Sequence, residues 1–175
     1  ERLSNGLCSW RPHEDRLAKI AWMDLDESGD FQEIRLEKSV IRSAQRFTYE
    51  EAQSILDGDS APGIDPKLID QIQTLNHLRE VLLQRRLRQG ALQLEIEEMK
   101  LVLDEEGEVV DVVSREHLAA HSLVEECMLA ANEAVATYAS QQELPILRRV
   151  HSPPDESELE KFIKLCRVLV PEAPI

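Results

Sequence analysis

The chain has 175 residues, 42% of them apolar and only six Gly, and its 20 Lys and Arg face 34 Asp and Glu for a net charge of −14. That composition fits one globular domain or a large piece of one, and it excludes a collagen-like, linker or disordered chain. No apolar run approaches the roughly 20 residues needed to cross a bilayer, so no membrane partner is expected, and no charged start followed by an apolar run marks a signal peptide. The surplus of carboxylates argues against a surface built mainly to neutralise phosphates. A few Arg lining one cleft would still be compatible with it. Basic groups cluster at Arg42 and Arg46, at Arg85, Arg86 and Arg88, and at Arg148 and Arg149, and each reads most simply as a solvated helix end or turn. Three Cys, at 8, 127 and 166, match no zinc spacing and make no disulfide framework. They suggest a reducing, cytoplasmic compartment. The chain opens on Glu1 rather than Met, which leads to the expectation that it is a segment of a longer protein.

Residues 1–14 read as an irregular lead-in, with Asn5-Gly6 and Arg11-Pro12 as turn signals. Leu17–Leu25 and Phe31–Val40 alternate apolar and polar residues about a Gly29-containing turn, the pattern of a β-hairpin. Asp24–Asp30 is rich in Asp but lacks the twelve-residue register of a calcium loop, and a hairpin turn explains it better. Thr48 and Glu51 have the spacing of a capping box, predicting a short helix that ends near Gly58. Asp65-Pro66 opens a second helix, with Leu68, Ile72, Leu75, Leu78 and Leu82 as its apolar stripe and Gly90 as its end. Its Arg85, Arg86 and Arg88 complement the helix dipole. Met99–Leu103 and Val109–Val113 predict a second hairpin across Asp104–Glu108. Ser114 is placed to cap a long helix to about Ser140. Leu144–Val150 reads as a short buried strand, His151–Pro154 as a connector, and Asp155 with Glu158 as the start of a last helix. Hairpins mixed with helices, without regular βαβ alternation, predict an α+β fold of β-hairpins and several packed helices.

Two positions stand out as candidate sites. On the long helix, Glu125 shares a face with Leu118, Ser122, Leu129, Asn132 and Ala136, flanked by His121 and Met128, while Leu123, Cys127, Ala130 and Ala134 lie opposite. A helix apolar on two sides is expected to be buried on both, so Glu125 with Asn132 is either an inward polar patch or an exposed strip between packed faces. Tyr49 begins a helix beside Arg42, Arg46 and Phe47; an aromatic and cations there suit a stacked base and a phosphate, though a surface or staple aromatic is the simpler reading of Tyr49 from the residues alone. His117 and His121 are four apart but lack the Glu-next-to-His arrangement of a metalloprotease helix, so zinc is not expected.

Three segments, taken together, resemble the catalytic RNB domain of the ribonuclease II and ribonuclease R superfamily. They are Leu3–Leu17, Val40–Ala52 with Ile55–Gly58, and Leu123–Ala136 with Leu147–Pro154. Their order and spacing agree with the family across essentially the whole chain, making residues 1–175 a partial RNB domain. The resemblance implies a processive 3′→5′ hydrolytic exoribonuclease that releases nucleoside 5′-monophosphates from single-stranded RNA, with no DNA expected as partner. It implies Mg²⁺ held by Asp residues upstream of this segment, so no catalytic or metal-binding residue is expected within it. The family's late Arg motif and its OB-like domains are likewise expected outside it. Tyr49 matches the family Tyr near the 3′-terminal nucleotides, and Glu125 matches the family Glu that contacts a ribose. With Arg46 and Asn132 they would line the end of an RNA channel. The family's terminal-base-stacking aromatic falls on Leu94, which has no π face and should clamp a base more weakly. The alternative implied by the net charge and Leu94 is a catalytically inactive RNB-fold module that binds RNA or protein.

Overall fold

The computed structural model describes residues 2–59, 62–92, 98–104, 106–115 and 117–169. It is α+β: β1 (Asp15–Leu25), β2 (Phe31–Arg42), α1 (Tyr49–Leu56), α2 (Pro66–Arg88), β3 (Glu98–Leu103), β4 (Val109–Arg115), α3 (Ala119–Gln141) and α4 (Glu156–Leu169). The chain divides into two compact units, Glu1–Glu143 and Leu144–Ile175.

The strands form two separate antiparallel hairpins, β1 with β2 and β3 with β4. Their turns use one device twice. Asp26 in Asp26–Asp30 accepts from the amides of Ser28 and Asp30 at 2.9 and 3.0 Å. Asp104 in Asp104–Glu108 accepts from the amides of Glu106 and Glu108 at 3.1 and 2.8 Å. Each turn closes with a backbone bond from the Asp amide to the carbonyl four residues on. Gly29 and Gly107, three residues after the Asp, take φ of 83° and 87°, the left-handed region where a Cβ is unfavourable. The Asp-rich stretch at 24–30 is thus a turn with its carboxylate occupied by its own backbone.

The capping box at α1 forms as expected: the Glu51 amide donates to Thr48 Oγ1 at 3.2 Å, and the Thr48 amide donates to Glu51 Oε2 at 2.7 Å. At α2, Asp65 accepts from the Lys67 amide at 3.0 Å with Pro66 in the first turn. The three helices of the first unit pack on one another, and α3 also touches β1 and β2. Ile55, Leu82, Ala120, Ala130, Ala134 and Ala139 are the buried apolar side chains among the described residues. Four of these six are alanines of α3, so the helix backbone itself comes close to its neighbours.

Three expectations are corrected. The lead-in is not wholly irregular, because Arg2–Leu7 forms a π-helical turn with Cys8 N donating to Leu3 O at 2.9 Å. The long helix starts at Ala119 rather than after Ser114. Ser114 and Arg115 instead pair with Met99 and Glu98 in the second hairpin, since two more ladder residues outweigh one hydroxyl cap. Finally, 144–150 is not a buried strand: it carries no regular structure, and Leu144, Ile146, Leu147 and Val150 are all exposed. In the second unit, Asp155 caps α4 by accepting from the Ser157 amide at 2.8 Å.

Candidate nucleic-acid interface

The first turn of α1 meets the first turn of α3. An α-helix leaves its first amides without intrahelical acceptors, and two side chains fill that need here. Gln53 Oε1, from α1, accepts from the Ala120 amide at 3.1 Å. His121 Nδ1 accepts from the Leu118 amide at 3.0 Å, which leaves the neutral ring's proton on Nε2. Against this fixed ring lies Tyr49, with centroids 4.2 Å apart and planes at 29°. His117 extends the row, 5.6 Å from His121, and its Nε2 is 2.9 Å from Ser122 Oγ. Tyr49 itself is 41% exposed. It is held on one side and open to solvent.

Glu125 follows His121 by one helical turn, on the same face. The structure therefore brings Tyr49 against the α3 face that carries Glu125. Glu125 and Asn132 are exposed, whereas Leu118, Ser122, Leu129 and Ala136 on the same face are half-buried, so neither polar side chain packs inward within this chain. Arg46 is exposed in the segment before α1. Leu94 lies outside the described residues.

The inward carboxylate of α3 is Glu126, only 3% exposed. It lies one and two turns before Ala130 and Ala134, on the stripe already read as buried, and that register was the available signal. Burying a carboxylate is costly unless it is paired, and Arg86 of α2 pairs it: Nε donates at 2.9 and 3.2 Å, and Nη2 at 2.5 Å. These bonds, and to a lesser degree the nearby charge of Glu125, push the Arg86 guanidinium further toward its charged form, against the pull of burial. Its neighbour Arg85 is 7% exposed. It grips both Glu133 oxygens at 2.8 Å, reaches Asp30 of the β1–β2 turn at 2.8 Å, and lies 5.0 Å over the Phe31 ring. Glu133 is held below the ordinary carboxylate range, first by its hydrogen bonds to Arg85 and then by the guanidinium charge, with burial opposing. The end of α2 is thus not a solvated cationic tip. Arg85 and Arg86 bind α2 to α3 and to the first hairpin, and Arg88 reaches the Ser28 carbonyl at 2.7 Å.

Among the described residues, no group of three or more His, Cys, Asp or Glu is placed to hold a metal ion, and no helix is long and apolar enough to cross a membrane. The Cys127 thiol is pushed up, mainly by burial.

Comparison with known proteins gives a consistent neighbourhood. The RNB domain model matches residues 1–173. Ribonuclease R of Aquifex aeolicus is 36% identical over 168 residues, covering 94% of this chain and 24% of that protein. Ribonuclease R of Thermotoga maritima is 39% identical over 155 residues, covering 88% of this chain and 22% of that protein. Mycoplasma genitalium RNase R, solved in complex with ribose-methylated single-stranded RNA, superposes with a TM-score of 0.89 at 26% identity, covering 96% of this chain and 26% of that one. The chain therefore spans about a quarter of the length of the relatives it matches.

Proposed function

The chain belongs to the RNB domain family, and from that premise we propose that it is a segment of a cytoplasmic, hydrolytic 3′→5′ exoribonuclease that shortens single-stranded RNA to nucleoside 5′-monophosphates. The family match, the relatives named ribonuclease R, and an RNA-bound structural neighbour support this reading. The observation that carries it within this chain is the stacking of Tyr49 on His121, one turn before Glu125. In this reading the open side of Tyr49 packs beside the 3′ tail of the strand. Glu125 accepts a hydrogen bond from a ribose 2′-OH, the group that separates RNA from DNA at a given position. Arg46 and Asn132 line the same channel, and the family resemblance alone assigns Leu94 to it.

The described residues do not fit a Mg²⁺ site, so no step through the metal is derived from them. The Mg²⁺ that the chemistry calls for is assigned to carboxylates outside this segment, and the segment alone is expected not to cut RNA. What these residues contribute is grip and orientation, which matter because a correctly placed scissile bond supplies much of the rate.

The test uses the full-length protein with 5′-labelled single-stranded RNA, and DNA of the same sequence, in the presence of Mg²⁺. RNA should shorten stepwise from the 3′ end with release of 5′-monophosphates. Glu125→Ala should narrow the RNA-over-DNA preference. Binding without shortening would favour the inactive module instead, and a Glu125→Ala protein that keeps its full preference would remove the role assigned to Glu125.

A further inference from the structure

We propose that His121 is a positioning residue: its imidazole fixes Tyr49 and so couples the first turn of α1 to the α3 face that carries Glu125. The inference rests on the RNA-gripping role given above to Tyr49 and Glu125, and it adds a residue with no assigned part in it. The argument is geometric. The His121 ring cannot turn freely, because its Nδ1 accepts from the Leu118 amide at 3.0 Å. Tyr49 stacks on that fixed ring at 4.2 Å while staying 41% exposed. An exposed Tyr at a helix start otherwise samples several χ1 wells. The stack selects one of them and leaves a ring face available to a ligand. Gln53, on the same helix as Tyr49, accepts from the Ala120 amide. A bond and a stack therefore join the two helix starts, and only the stack involves Tyr49. His121 and Glu125, four residues apart, then set the spacing between a flat surface and a carboxylate acceptor. Recognition of a ribonucleotide by its ring and its 2′-OH together needs that spacing to be constant.

The two duties of His121 can be separated by substitution. His121→Asn keeps an oxygen near the position of Nδ1, able to accept from the Leu118 amide, but removes the ring. His121→Phe keeps the ring and removes the acceptor. In the full-length protein, equilibrium binding of a single-stranded RNA and of DNA of the same sequence is measured for both variants, for Tyr49→Ala, and for Tyr49→Ala combined with His121→Asn. Loss of one stacked pair corresponds to roughly a two- to tenfold change. His121→Asn should therefore weaken RNA binding about that much, lower the RNA-to-DNA affinity ratio, and add nothing to Tyr49→Ala. His121→Phe, which keeps the stack but on a ring no longer tied to the Leu118 amide, should recover part of both the affinity and the ratio. A merely structural role would weaken RNA and DNA alike and leave the ratio unmoved. The proposal is overturned if His121→Asn leaves the ratio intact while Tyr49→Ala lowers it, or if His121→Phe falls as far as His121→Asn. If neither Tyr49→Ala nor Glu125→Ala changes the ratio, the assignment of those two residues fails first, and the coupling fails with it.

Discussion

Removing either partner of the Arg86–Glu126 pair should have unequal effects, and the inequality follows from burial. The Glu126 side chain is 3% exposed, whereas that of Arg86 is 32% exposed. In Arg86→Ala, Glu126 stays within the α2–α3 contact without its guanidinium, and removing one member of a buried ion pair costs roughly 3–5 kcal/mol. In Glu126→Ala, the freed guanidinium can turn into water. The loss is then limited to hydrogen bonds to a charged group, roughly 1.5–3 kcal/mol. The gap of roughly 2 kcal/mol corresponds to about a thirtyfold difference in the opening equilibrium. The paired replacement of Arg86 by Met and Glu126 by Leu removes both charges at once and should be close to neutral. Amide hydrogen exchange of α2 and α3 in the full-length protein reads these local openings directly. Glu126→Ala costing as much as Arg86→Ala would refute the reasoning, as would a cost below about 1 kcal/mol for Arg86→Ala, since the pair would then not be a buried one in energetic terms.

Two further predictions concern the same packing. Glu133 is held below its unfolded value of 4.5 chiefly by hydrogen bonds from Arg85. A carboxyl lowered on folding adds stability that is fully present above its unfolded pKa and is lost as the pH falls through the lower folded value. Protection of α3 amides should therefore fall as the pH drops below about 4.5, and Glu133→Gln should flatten that fall; an unchanged slope would show that the Arg85–Glu133 bonds do not report on acid stability. At Gly29, an added Cβ would sit 3.1 Å from Val81 Cγ1 at φ +83°, whereas at Gly107 it would meet open space at φ +87°. Both Ala variants carry the left-handed backbone cost of roughly 1–2 kcal/mol, but only Gly29→Ala adds crowding against α2, roughly 1–3 kcal/mol more. Equal shifts in thermal midpoint would mean that the turn does not press on α2.

The parts of this fold that were legible in the sequence are those decided within about five residues. The two Asp-initiated turns, the Thr48–Glu51 capping box and the Asp65-Pro66 helix start each satisfy their own backbone groups, so nothing distant can overrule them. Where partners come from afar, the reading failed. Ser114 was a reasonable cap until the ladder to Met99 and Glu98 claimed it. Leu144–Val150 had strand-like content, but among the described residues no strand pairs with it. Arg85 and Arg86 read as a solvated helix end because their carboxylates lie 40 to 55 residues away. The helix phase of Glu125 against Glu126 was the finest distinction. Adjacent residues differ by about 100° around the axis, and the Ala130–Ala134 stripe was the evidence that Glu126, not Glu125, turns inward.

That distinction bears on how so acidic a segment could serve RNA. Much of its basic character is committed internally: Arg16 to Glu14, Arg42 to Asp15, Arg79 to Glu80, Arg85 to Asp30 and Glu133, and Arg86 to Glu126. A groove of free Lys and Arg would hold DNA as readily as RNA, because phosphate contacts carry no information about the sugar. A carboxylate is the reverse. It repels phosphate but accepts a hydrogen bond from a 2′-OH, so it weakens every strand slightly and weakens DNA most. Set one turn from a fixed pair of rings, Glu125 would, in the proposed reading, act as a filter rather than an anchor. Because Glu126 is buried and paired with Arg86 on the inward stripe, the exposed face beside it carries the Glu125 charge, and under the proposed reading a net charge of −14 is compatible with an RNA-selective channel whose affinity is supplied elsewhere.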